Sequence, residues 1–304
     1  MTALDDTDLS NEADTHPLPD TPRKREAEEW ALVLTAEGFA PRLRRIGAGW
    51  SVSVEAGREL EARAILLSWQ KERAERAAQP PAPPVPTTSP METAAAYALA
   101  LAMVAFHMHI ESSGRHAAFV DRGDSQAALV MSGQLERTIT ALTLHADLSH
   151  VAGNALFGGF FLAALTGRLG LGFALLSFVV SGALGNLANA VYYGAAHSSV
   201  GASTGVFGLV GVLAGLAAWQ RHQRFPRRRG AWVAFGAGLG VVAMLGGPGP
   251  KVDFSAHLFG LAAGALTGIA LAFPLASRPR PGPAAQLAAA AISAALVLGA
   301  WRMA

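Results

Sequence analysis

The stretch Leu148–Thr166 reads LSHVAGNALFGGFFLAALT. Its 19 residues hold no Asp, Glu, Lys or Arg, and roughly 20 mostly apolar residues are enough to cross a hydrocarbon core as a helix. It also carries His150 and Asn154 at i and i+4, on one helical face and roughly 6 Å apart along the axis. Polar groups of that kind are costly in lipid and ordinarily face a cavity or a protein partner.

The neighbouring sequence repeats the apolar pattern. Further candidate spans lie at Glu92–Ile110, Leu169–Tyr192, Ala202–Gln220, Ala231–Gly246, Ala256–Ala276 and Ala284–Arg302. The fifth, Ala231–Gly246, is short and Gly-rich. Composition agrees: 51% of the 304 residues are hydrophobic, 15% are charged and the mean hydropathy is +0.31, which points to lipid rather than water around much of the chain. Most of the 22 acidic residues precede Met91. Between the first two spans lies a polar segment, Glu111–Asp147, too long for a simple turn.

Arginine placement sets a direction. Lys and Arg concentrate in cytoplasmic loops. Arg168 follows the second span, Arg221–Arg229 carries five arginines after the fourth, and Arg278 and Arg280 follow the sixth. Seven alternating spans with a cytoplasmic N-terminus put all three on one side. The acidic, Pro-containing start lacks the basic and apolar regions of a signal peptide, which suits the same direction. With no cysteine, disulfides, thiolate zinc sites and cysteine nucleophiles are excluded. No metal site and no nucleic-acid partner is expected.

Residues 1–25 read as a disordered tail, residues 26–76 as a small cytoplasmic α+β domain, and residues 77–90 as a Pro/Ala-rich linker. Within the domain, Trp30–Leu34, Ala40–Ile46 and Trp50–Val54 read as strands. Glu59–Arg73 reads as an amphipathic helix burying Leu60, Ala64, Leu67 and Trp69. Residues 91–304 form the membrane domain.

Polar side chains converge at one depth of that domain. His150 and Asn154 stand at the outer end of the second span, Ser203 at the outer start of the fourth and His257 at the outer start of the sixth. Each has a plainer reading. Ser203 can bond a preceding carbonyl, His257 can bond a loop, and His150 with Asn154 can join two helices. Shared depth on three separate spans favours a common site. Gly201, Gly205, Gly208, Gly211 and Gly215 on the fourth span, with Gly260, Gly264 and Gly268 on the sixth, allow the close packing that would bring Ser203 and His257 within hydrogen-bond range.

Three segments together resemble the rhomboid family. They are His145-Ala-Asp-Leu-Ser-His150-Val-Ala-Gly-Asn154, Gly201-Ala-Ser203-Thr204-Gly205-Val-Phe-Gly208 and Ala256-His257-Leu-Phe-Gly260. Gly133–Thr140 is similar to that family's first-loop segment. The resemblance implies an all-α polytopic membrane protein, a rhomboid-like six-helix bundle plus a seventh C-terminal helix, with the α+β domain in front. It implies an intramembrane serine protease with Ser203 as nucleophile and His257 as general base. His150, Asn154 and the Ser203 backbone N–H would form the oxyanion site. His145, Arg137, Gly201, Gly205 and Gly260 would be structural. Two positions depart from the pattern: Thr204 stands where Gly usually follows the nucleophile, and Glu136 precedes Arg137 where Trp is usual.

The expected partners are transmembrane protein substrates and the lipid bilayer, with no cofactor and no identified partner for the N-terminal domain. The expected location is a bacterial inner membrane, with the active site near the outer face. Gly230–Gly246 is a candidate lateral gate and Gly246–Asp253 a candidate lid. A rhomboid-like protein that binds membrane helices without cutting them is the alternative. A transporter is disfavoured because no acidic residue lies within a membrane helix and no inverted repeat is evident. A metalloprotease is disfavoured because His-Glu-x-x-His is absent.

Overall fold

The computed structural model describes residues 15–18, 20–78, 88–224, 230–245, 253–275 and 280–304. These fall in two compact units, Met1–Pro84 and Val85–Ala304. In the first unit, strands β1 (Thr15–Pro17), β2 (Arg42–Ile46) and β3 (Gly49–Glu55) form an antiparallel sheet in the order β1-β3-β2. Ile46 pairs with Gly49, leaving a two-residue turn. Gly47 opens it at φ +59°, the left-handed conformation a tight hairpin demands at that position. Helices α1 (Lys24–Ala36) and α2 (Glu59–Ala78) complete the unit.

Three expectations for this unit need correction. Trp30–Leu34 lies inside α1, not in a strand. Ala27, Trp30 and Leu34 are buried at helical spacing, whereas Leu32, which an alternating strand would bury with them, is 74% exposed. A short apolar run does not by itself separate the two states. In α2 the buried stripe is Ala62, Ile65, Leu66 and Trp69, while Leu60, Ala64 and Leu67 are exposed. That stripe follows the i, i+3, i+4, i+7 rule more closely than the expected one. The expected tail is ordered from Thr15, because β3 offers it an open edge: His16 pairs with Val54, Leu18 donates its N–H to Val52 O, and Thr21 exchanges backbone bonds with Trp50. Met1–Asp14 and most of the expected linker, residues 79–87, lie outside the described residues.

The second unit is helical. Its long helices are α3 (Pro90–Ser112), α7 (Leu148–Leu169), α8 (Leu171–Tyr193), α9 (Ser203–Arg224), α10 (Gly230–Leu245), α11 (Phe254–Leu275) and α12 (Pro283–Met303). They coincide with the seven expected spans to within a few residues. Among the described residues, six helices are long and apolar enough to cross a membrane. The exception, α10, has 16 residues and reaches about 24 Å.

Local chemistry sets several helix ends. Ser89 and Glu92 form a reciprocal capping box at the start of α3, satisfying two otherwise orphaned donors. Asp147 caps α7 by accepting from the His150 N–H. At the turn between α7 and α8, Gln286 of α12 accepts from the N–H groups of Gly172 and Phe173 and donates to Leu169 O. The half-buried Gln286 amide thereby ties the seventh helix to this turn.

The segment between the first two long helices is folded. It contains α4 (His116–Gly123), β4 (Ser125–Gln126), α5 (Ala127–Met131), α6 (Arg137–Thr140) and a 3-10 turn at Ala141–Thr143. Arg137 holds it together. Its guanidinium pairs with Asp124 at 2.9 Å and donates to the carbonyls of Asp121 and Asp124 and to Gln134 Oε1. A buried arginine demands such complete pairing. Strand β4 pairs with β5 (Ser198–Ser199), just before α9.

Helices α9 and α11 make the most extensive contact in the unit. A Cβ on Gly211, Gly260, Gly264 or Gly268 would run into a backbone carbonyl of the facing helix. The glycine repeats therefore act as expected, letting the two backbones meet.

Candidate active site

The two close-packed helices α9 and α11, with α7, wall a cavity of about 570 Å³. Ser203, His150, Asn154 and His257 all line it. Four residues spread from position 150 to position 257 thus line one cavity, because α9 and α11 pack closely through glycine and α7 packs beside α9. Among the described residues no hydrogen bond joins Ser203 to His257, so the hydrogen bond expected from the close packing of α9 on α11 is not formed.

The loop before α9 determines where Ser203 sits. Gly201 has φ +138°, and a Cβ there would lie 2.8 Å from the His150 imidazole and 3.4 Å from Ser203 Oγ. Glycine is required on both counts. Gly201 N–H donates to Ala141 O, and Ala202 N–H donates to His145 Nε2 at 3.3 Å. The His145 carbonyl in turn bonds the His116 ring at 2.8 Å. Burial, and then the neighbouring His150 and His107, push the His145 imidazole down to about 3. It stays neutral and serves as an acceptor for the loop.

Thr204 and Gly205 fit their surroundings. Thr204 lies in the first turn of α9 with an ordinary backbone, and its methyl fills space left by Gly185 and Gly260. Gly205 leaves room for the Phe178 ring, which a Cβ would approach to 2.5 Å. The threonine that departs from the family pattern is accommodated by glycines on two neighbouring helices.

His257 is 6% exposed. Its ring packs on Phe207, with centroids 4.4 Å apart and planes at 35°, and its Nδ1 is buried without a hydrogen-bond partner. Among the described residues no carboxylate is hydrogen-bonded to its ring. Asn154 Nδ2, at the cavity wall, is likewise buried without a hydrogen-bond partner among the described protein groups.

Asp253 escaped the sequence reading. It starts α11, accepting from the Ala256 N–H, and it also accepts from Ser255 Oγ, Asn189 Nδ2 and His197 Nε2, the last at 2.6 Å. His197 stacks on Tyr193 at 3.8 Å. Burial would raise the Asp253 carboxyl, but the His197 and Ala256 hydrogen bonds prevail and hold it below its ordinary value. The network ties the histidine-bearing helix to α8 and to the loop before Ser203. One signal was available: Asp253 is the sole acidic residue after Asp147.

Residues 132–273 match the family model described as the Rhomboid domain. A protein of Bacillus subtilis (strain 168), named "Putative rhomboid protease YdcA", is 30% identical over 140 residues, which cover 45% of this chain and 67% of that protein. The chain belongs to the rhomboid family. As in the expected rhomboid architecture, it is a mostly helical, integral membrane protein with a small N-terminal α+β unit. The rhomboid match begins in the folded segment before α7 and ends within α11, so it spans every residue of the cavity named above.

Proposed function

We propose that this rhomboid protein is an intramembrane serine endopeptidase that cleaves peptide bonds in or near the transmembrane helices of other membrane proteins. The observation that carries the reading is the cavity shared by Ser203, His257, His150 and Asn154, with the Asn154 amide unpaired at its wall. The relative's name, "Putative rhomboid protease YdcA", is in keeping with it.

In this reading Ser203 Oγ attacks the scissile carbonyl carbon while His257 accepts its proton, since a serine hydroxyl is a weak nucleophile without an adjacent base. The carbonyl electrons move to oxygen. His150, Asn154 Nδ2 and the Ser203 N–H stabilise that oxyanion. The C–N bond then breaks as His257 returns the proton to the departing amine, leaving an acyl-serine. Water, deprotonated by His257, releases the acid and restores Ser203. Packing against Phe207 takes the orienting role that a carboxylate plays in a triad.

The proposal extends to direction and access. The N-terminal unit is cytoplasmic, the membrane is a bacterial inner membrane, and the cavity opens toward the outer face. Helix α10 is the lateral gate: Gly236 and Gly240 face open space, while Gly238 rests near Leu261. Of the proposed lid, Gly246 to Asp253, every residue but Asp253 lies outside the described residues. Substrates with Gly or Ala near the cut site are favoured, because the bond must leave its helix to be attacked, and glycine weakens helices most among residues that keep an N–H.

The test is cleavage of a generic transmembrane substrate by wild type, Ser203→Ala and His257→Ala in detergent. Wild type cuts and both variants do not. Cleavage surviving in Ser203→Ala overturns the assignment.

A further inference from the structure

A second cavity, again about 570 Å³, lies between α3, α4 and α12 and shares no lining residue with the first. Its long walls are apolar, with Leu99 and Met103 on α3 facing Val297 and Leu298 on α12. From Leu99 to Phe106 the α3 wall runs about 10 Å along the helix. One end is lined by three mutually packed rings. Phe119 lies 5.4 Å from Trp301 and 5.8 Å from Phe106, and Trp301 Nε1 donates to Thr143 Oγ1. At this end the chain leaves the apolar helices, so it lies at a membrane–water interface, where tryptophan is enriched.

The same end carries Arg115 and Arg122. Both are exposed. Arg115 stacks over Phe119 at 5.0 Å, and among the described residues neither guanidinium has a carboxylate partner. A slot that is hydrocarbon-lined along its length, with two uncompensated guanidinium groups at its interfacial mouth, complements one kind of molecule. It needs an anionic phosphate joined to an acyl chain, since guanidinium is the side chain best matched to phosphate oxygens. A second copy of α12 supplies no carboxylate side chain at that depth, because α12 carries no acidic residue and has Arg302 in its last turn.

We propose that the slot between α3, α4 and α12 is a binding site for an anionic phospholipid, phosphate on Arg115 and Arg122 and one acyl chain between α3 and α12. The lipid wedges the seventh helix against the folded segment that carries Arg137. Gly123 serves the same contact, since a Cβ there would lie 2.7 Å from the Trp301 ring.

The test uses the full chain purified in detergent. Native mass spectrometry is run with dioleoyl phosphatidylglycerol or dioleoyl phosphatidylcholine at matched concentration, and thermal unfolding is followed with each lipid and with inorganic phosphate. Wild type retains phosphatidylglycerol over phosphatidylcholine, and phosphatidylglycerol alone raises Tm. Arg115→Gln with Arg122→Gln weakens phosphatidylglycerol retention roughly tenfold or more and abolishes the Tm gain. Ala102→Trp, which fills the slot and spares the arginines, also lowers retention. Should the double variant not fold, the two single variants carry the comparison. Equal retention of both lipids, undiminished retention without the arginines, or an equal Tm gain from inorganic phosphate overturns the proposal.

Discussion

Replacing Asn154 by leucine separates catalysis from stability, and the structure sets the sign of each effect. Asn154 Nδ2 is buried at the cavity wall and has no hydrogen-bond partner among the described protein groups. An unpaired buried donor carries a desolvation cost of about 1–3 kcal/mol, which a leucine of similar shape relieves. If the amide donates to the oxyanion, its loss raises the barrier by about 2.7–4 kcal/mol, a fall in kcat of roughly 10²–10³. The variant should therefore be nearly inactive while its Tm stays level or rises by about 2–4 °C per kcal/mol gained. The assay pairs kcat for a transmembrane substrate in proteoliposomes with thermal unfolding of the same preparation. A kcat within threefold of wild type refutes the oxyanion role. A large drop in Tm refutes the claim that the amide is unsatisfied at rest.

Other perturbations follow from the same geometry. Gly201→Ala forces a Cβ against the His150 ring at an unfavourable φ, so about 1–3 kcal/mol of stability and most cleavage activity should be lost together, read by Tm and substrate turnover. Asp253→Ala removes a helix cap worth about 1 kcal/mol and a charge-assisted bond worth about 1.5–3 kcal/mol, whereas Asp253→Asn keeps the cap; Tm and KM-versus-kcat measurements should rank the two in that order. His145 is held at about 3 in the fold against an ordinary 6.5, so the unfolded chain takes up a proton that the folded chain refuses. Stability should fall as pH drops from about 6.5 toward 3, and unfolding curves of His145→Asn across that window should show a shallower decline. The Asp253 carboxyl acts at the lower end, where its contribution persists above its ordinary value and disappears as pH falls through the depressed one.

What could be read in advance was set by the range of each interaction. The membrane helices announce themselves through apolar length, a property of contiguous residues, and even α10 was visible despite its 16 residues. The glycine repeats foretold the α9–α11 contact because small-residue spacing is local to each helix. Long-range polar pairing was not legible. Arg137 was singled out, but its partner Asp124 lies 13 residues away, and Asp253 meets His197 across 56 residues. No periodicity links such positions. In the N-terminal unit the error was one of period: Trp30–Leu34 is apolar without a break, and only the salt-bridged flanks, Lys24 with Glu28 and Arg25 with Glu29 at i,i+4, favoured the helix that forms. Strand β1 depends on an edge offered by β3 some 38 residues later, which no local composition reveals.

The most direct measurement is covalent labelling of the membrane-embedded chain with a fluorophosphonate, followed by peptide mapping. A serine activated by an adjacent imidazole carries the label at Ser203, and replacing His257 by alanine removes it. Label on another residue, or on Ser203 with His257 absent, contradicts the pairing on which the proteolytic reading stands.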